Sequence, residues 1–206
     1  MADETGAGTS LVDRIKRILI EPNQEWDRID AEPATVGDIF KRWILPLAAI
    51  PALAGLIGMQ LFGISLLGIT YRPPIGTALA SAVISYVFTI TGIFLYILLI
   101  DALAPTFNGT SNRVQATKVV AYSATPAFVA GILGLIPQLS ILTIIGGLYG
   151  LYLLYLGLPK LMKVPADKNV PYIVTVIVAG IVLALVAGIL IGSLSVISQP
   201  TVPLAY

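Results

Sequence analysis

Five long stretches almost free of charge decide what this chain can fold into. Residues 43–69, 76–103, 114–136, 139–158 and 171–198 are apolar nearly throughout, and their only charged side chains are Asp101 and Lys118. A helix of roughly 20 apolar residues crosses about 30 Å of hydrocarbon, so each stretch reads as a transmembrane helix. The longest would reach about 40 Å at 1.5 Å per residue, which predicts tilt or protrusion. The connections are short and hold no further domain: 70–75 with Pro73-Pro74, 104–113 with Pro105 and Asn108-Gly109, 137–138, and 159–170. The fold class is therefore an all-α integral membrane protein. Residues 43–198 form a bundle of five transmembrane helices, preceded by an amphipathic interfacial segment at 10–42. A disordered tail at 1–9 and a short tail at 199–206 complete the chain.

Charge is distributed to match. Only 11% of the 206 residues are charged, and nine of the eleven acids precede residue 39. No basic stripe exists to neutralise phosphates, so nucleic acid is excluded as a partner. With no Cys and no His, thiolate and imidazole metal sites, Ser–His–Asp triads and disulfides are excluded. No metal or cofactor is expected. Numbering the sides alternately puts Arg14, Lys16, Arg17, Arg28, Lys41, Arg42, Arg113, Lys118, Lys160, Lys163 and Lys168 on one side and Arg72 alone on the other. The positive-inside rule then places the amino terminus in the cytoplasm and the carboxyl terminus across the membrane, in a prokaryotic cytoplasmic membrane. No signal peptide is visible in the first 42 residues, so the first span is expected to act as an uncleaved anchor.

Ahead of the spans, Ser10 and Asp13 have the spacing of a capping box. Leu11, Ile15, Ile18 and Leu19 follow on one helical face, which predicts a short helix on the cytoplasmic leaflet. Trp26 is a candidate interfacial anchor. Packing of this segment on the bundle is the alternative, and the two are compatible.

Inside the membrane, several residues need a reason. In the fifth span Gly180, Ala184, Gly188 and Gly192 repeat every four residues, a helix-packing face for a homo-oligomer or for internal packing. Gly146 and Gly150 form the same pattern in the fourth span. Ser81, Ser85, Thr89 and Tyr96 make a polar stripe along the second span. That stripe lines a pathway, or its hydroxyls bond their own helix. Asp101 and Lys118 sit at similar depth on neighbouring antiparallel spans, which predicts an ion pair near the cytoplasmic surface with Tyr122 beside it. Pro126 removes an N–H and is expected to bend the third span. Asp101, Lys118, Tyr122 and Pro126 form the candidate intramembrane polar site. Tyr149, Tyr152 and Tyr155 read as an aromatic belt.

Around the five spans stand, in order, Pro22-Asn23-Gln24-Glu25-Trp26, Leu45-Pro46-Leu47, Phe107-Asn108-Gly109, Val119-Val120-Ala121-Tyr122-Ser123-Ala124-Thr125-Pro126 and Tyr152-Leu153-Leu154-Tyr155-Leu156-Gly157-Leu158-Pro159. In these stretches the chain resembles the Yip1 domain family of five-span membrane proteins. The Tyr122…Pro126 stretch is similar to the Gly-Tyr…Pro segment of eukaryotic members, with Ala121 in place of the glycine. The Asp-Leu-Tyr-Gly-Pro motif of those members is absent, so the resemblance does not carry over their binding of Rab GTPases. What it implies is a non-enzymatic membrane scaffold or partner-binding factor, its partners being the lipid bilayer, further copies of itself or other membrane proteins. The alternative is a small transporter or channel using the stripe of the second span. An intramembrane enzyme has no paired carboxylates in one span to support it.

Overall fold

The computed structural model describes residues 10–66 and 69–197, with the side chains of 64–66, 69 and 191–197 left aside. The tails at 1–9 and 199–206 lie outside these residues. Five helical segments are long and apolar enough to cross a membrane: Val36–Leu61, Ile75–Phe107, Arg113–Leu135, Pro137–Met162 and Ala166–Leu190. The all-α, five-span expectation holds, with instructive differences at the edges.

The first two helices, α1 (Leu11–Ile20) and α2 (Pro22–Ala31), precede the spans. Ser10 caps the first: its Oγ accepts from the Asp13 amide at 3.1 Å and donates to Asp13 Oδ2 at 2.6 Å, so the acid engages the hydroxyl and not the Ser10 N–H of a full capping box. The first span opens seven residues earlier than hydropathy suggests. Thr35 caps α3 (Val36–Ile39) in the same reciprocal way through Asp38, so the charges of Asp38, Lys41 and Arg42 ride on the first turns. A π-helical stretch, Phe40–Ile44, leads into α4 (Leu45–Leu61).

The span stops at Leu61 rather than 69. Gly63 has a positive φ of 71°, and a β-carbon there would lie 2.8 Å from Tyr71 O, so only glycine fits the turn. Strands β1 (Ile64–Leu66) and β2 (Ile69–Tyr71) then pair antiparallel. Pro74 precedes α5 (Ile75–Leu103), which ends in a 3₁₀ turn, Ala104–Phe107.

The third span is broken as its proline requires. Helix α6 (Arg113–Ser123) ends at Ala124, α7 (Thr125–Ala130) restarts with Pro126 in its first turn, and a 3₁₀ segment, Gly131–Leu135, follows. The fourth span starts as 3₁₀, Pro137–Leu142, and continues as α8 (Thr143–Met162), running through Pro159 instead of stopping before it. Helix α9 (Ala166–Ile197) likewise begins ahead of Pro171.

The first span packs on the second and third, the third on the fourth, and the second on the fifth. Glycines set the closest approaches. Gly58 faces the carbonyl of Gly134, and a β-carbon would fall 2.2 Å from that oxygen. Gly146 and Gly150 back onto the carbonyls of Pro126 and Ser123. The small face of the fourth span is therefore used inside the bundle. The large, fully buried side chains gather at the end carrying α1 and α2, among them Ile18, Trp26, Ile44, Leu158, Met162 and Tyr172. Away from that end, spans two and five expose Val83, Val87, Ile181, Val182 and Leu185, as faces turned to lipid do.

The glycine contact makes a sharp test. Gly58→Ala is expected to destabilise by about 1–3 kcal/mol, because the new methyl overlaps backbone that must move. Gly55→Ala, on the same helix but facing open space, is expected to be neutral or slightly stabilising. Thermal unfolding in mild detergent reads both.

Candidate functional site at the head of the bundle

The side chains that carry unusual chemistry converge where α1 and α2 meet the ends of the spans. Glu25, on α2, has none of its surface exposed. A carboxylate so placed must be neutralised, and arginines from both helices do so. Arg17 Nε lies 2.9 Å from Oε2, Arg28 Nη1 3.3 Å from the same oxygen, and Arg14 Nε 3.4 Å from Oε1. Arg14 also donates to Tyr122 Oη at 2.9 Å and pairs with Glu32. Burial alone would lower the pKa of Arg14, but the hydrogen bonds and charges of Glu32 and Tyr122 outweigh it and the pKa is raised.

Trp26 corrects an expectation. Instead of anchoring at the lipid interface it is wholly enclosed by protein, its ring laid on Gly157, where a β-carbon would come within 2.5 Å of Cζ2. The ring meets Tyr122 edge-on at 6.2 Å, and Trp43 packs at a tilt 4.8 Å from the same tyrosine. Trp43 Nε1 donates to Thr125 Oγ1 at 3.1 Å. The apolar face of α1 is turned the same way: Ile18 is buried and Leu11, Ile15 and Leu19 pack on the core. Tyr149 fastens its end by donating to Leu19 O at 2.7 Å. A second strip, Val12 (57% exposed), Lys16 and Ile20 (75% exposed), faces outward with Asp13 beside it.

The ion pair expected between Asp101 and Lys118 does not form. Asp101 accepts from Arg113 Nε and Ser111 Oγ, both at 2.8 Å. Lys118, buried, donates to the carbonyls of Ile29 and Glu32 at 2.6 Å each. It thus caps the carboxyl end of α2, where free carbonyls and the helix dipole favour a cation. Similar depth on two spans says nothing about which way each side chain points, and a third element took the lysine. Of the four residues grouped as a polar site, Lys118 and Tyr122 grip the amino-terminal helices. Pro126 breaks the third span, and Asp101 holds the 104–113 loop.

That loop is also fixed by Asn108, which is left-handed at φ 59°, and by Thr110 N donating to Met162 O at 2.8 Å. Gly109 sits so close to Val164 that a β-carbon would lie 2.6 Å from its Cγ2. Surface pairs, Lys160–Asp27 and Lys163–Asp30, tie α2 to the end of the fourth span.

A second feature lies deeper. Spans two to five enclose an apolar groove of about 570 Å³. Thr89 and Tyr96 of the polar stripe and Gly180, Ala184 and Gly188 of the small face line it together. The stripe does not act as a unit, since Ser81 is exposed and Ser85 is not among the lining residues. Thr89 Oγ1 bonds its own helix at Ser85 O, 2.8 Å, and Tyr96 Oη donates to Val176 O at 3.2 Å. Gly180 gives room to the Tyr96 ring, whereas Gly188 faces open space. The packing of Gly192 lies outside what is described.

A five-span membrane protein with a helical head folded against one end of its bundle is the class these features define. The Yip1 domain family model matches residues 16–189, and the chain belongs to that family. No curated protein and no solved structure matches it. Three of the stretches that resemble the family touch one another through Trp26, which meets Tyr122 on one side and Gly157 on the other.

Two outcomes check this site. Glu25→Gln leaves the arginines without their counter-charge, and unfolding in detergent should show a loss of about 3 kcal/mol. In double-mutant cycles, Asp101→Asn with Arg113→Gln should be coupled, whereas Asp101→Asn with Lys118→Met should be additive within about 0.5 kcal/mol.

Proposed function

We propose that this protein is a non-enzymatic membrane scaffold, its rigid amino-terminal head facing the cytoplasm and presenting a surface to partners or to the leaflet beside it. The observation that carries the reading is the joining of α1 to α2 through Glu25 and the locking of the pair onto spans three and four through Trp26 and Lys118. A head held this firmly has a fixed outer surface, on which Val12, Lys16 and Ile20 of α1 stand exposed. A strip of that composition suits the boundary between headgroups and acyl chains. Orientation rests on charge: the head-end loops carry Arg113, Lys160, Lys163 and Lys168, and the hairpin end carries Arg72. The division into a head at 10–42 and a membrane domain at 43–198 is part of this proposal.

Cysteines introduced into this cysteine-free chain test the orientation. In membranes of known sidedness, an impermeant maleimide should reach Glu21→Cys only from the cytoplasmic face and Arg72→Cys only from the other. Labelling of both from one face would overturn the orientation. Reconstituted liposomes test the scaffold reading. No flux of ions or small solutes is expected, and a photocrosslinker at Ile20 in cells should give discrete protein or lipid adducts that fade in Glu25→Gln. Saturable flux that Thr89→Leu removes would instead make the protein a transporter.

A further inference from the structure

We infer that the groove between spans two to five is a binding seat for one acyl chain of a phospholipid from the head-side leaflet, with the ester carbonyl accepting a hydrogen bond from Ser123. This goes beyond the scaffold reading and stands or falls separately from it.

The groove has the size of a ligand site, about 570 Å³ against the ~300–1,000 Å³ usual for such clefts. No charged side chain lines it, so its occupant is apolar where it touches the walls. Its length is set by the fifth span, which lines it from Ile177 to Gly188. At 1.5 Å per residue this is roughly 16 Å, about half of the ~30 Å hydrocarbon core. One leaflet's chain has that reach. A helix from another protein would continue past both ends.

The polar end is equally specific. Ser123 is only 6% exposed and lines the groove, yet its Oγ has no hydrogen-bond partner among the described residues. A buried hydroxyl left unpaired carries a free-energy cost, and a carbonyl entering the groove would relieve it. The other hydroxyls are already committed, Thr89 to Ser85 O and Tyr96 to Val176 O. Ser123 also lies at the right depth. Two residues on, Thr125 receives the Trp43 indole N–H, and Tyr149 reaches the end of α1. Tyr122, one residue nearer the head than Ser123, accepts a hydrogen bond from Arg14, and a charged group at that level marks the edge of the hydrocarbon, where ester carbonyls sit. From there the groove leads away from the head, past Ala127 and Gly147 to Gly188.

The test uses the full chain in mild detergent with added palmitoyl-oleoyl phosphatidylglycerol, read by native mass spectrometry. The unmodified protein should retain one phospholipid. Gly147→Leu and Gly188→Leu, at positions where a β-carbon meets nothing within 4 Å, should reduce retention about tenfold by occupying the chain's volume. Val178→Leu, on an exposed face outside the groove, should not. Ser123→Ala should weaken retention a few-fold, and so should replacing the ester lipid with its ether analogue in the unmodified protein. Absence of bound lipid in the unmodified protein, equal retention by both groove variants, or indifference to ester against ether would overturn the proposal. A dimer that Gly188→Leu converts to monomer while lipid retention is unchanged would assign the groove to a second copy of the chain.

Discussion

A carboxylate with no exposure to water is stable only if something replaces the water, and in this protein that requirement organises the head. Glu25 is held by Arg14, Arg17 and Arg28. Two of those arginines come from α1 and one from α2, so satisfying one charge fixes the angle between the helices. Arg14 then passes the constraint on, since it also reaches Tyr122 of the third span. The aromatic contacts of Trp26, Tyr122 and Trp43 and the absence of a side chain at Gly157 make the site into which this pre-set pair fits. Lys118 closes it from below by capping α2. Each element supports the next, from α1 through α2 to the third and fourth spans.

The membrane part follows a different logic. Within hydrocarbon there is little hydrophobic gain from helix association, so close backbone approach through small residues carries the packing. Gly58 against Gly134, Gly131 against Pro51 and Gly146 against Pro126 do this on one side of the bundle. On the other, Gly147 and Gly188 face nothing within 4 Å, and the small residues there leave a groove instead of a contact. The same composition gives packing or a cavity depending on what stands opposite.

Much of the fold was legible in the amino-acid sequence because lipid imposes one rule on every span. The helix cap at Ser10, the break at Pro126 and the apolar face of α1 were equally local and equally visible. What escaped were features that depend on azimuth and on third parties. Depth along two helices suggested that Asp101 and Lys118 would pair, but Arg113 is nearer to the acid and the end of α2 claims the lysine. Trp26 has the composition of an interface anchor, and only the bare backbone of Gly157, far away in the chain, shows where its ring goes. The pairing of Ile64–Leu66 with Ile69–Tyr71 was hidden because β-branched strand residues score as apolar as a span; Gly63 and Gly68 were its local signals. The polar stripe and the small face were each apparent, yet their meeting around one groove required the packing of four spans.

Helices α1 and α2 are part of the folded bundle and do not float on the lipid surface. Hydrogen–deuterium exchange on the full chain in lipid nanodiscs measures this directly. Amides of α1 and α2 beyond their first turns should be protected as strongly as those of Val119–Tyr122 and Leu153–Leu158, the span segments at the same end of the bundle. Exchange of α1 and α2 within seconds, with those span segments still protected, would contradict the account.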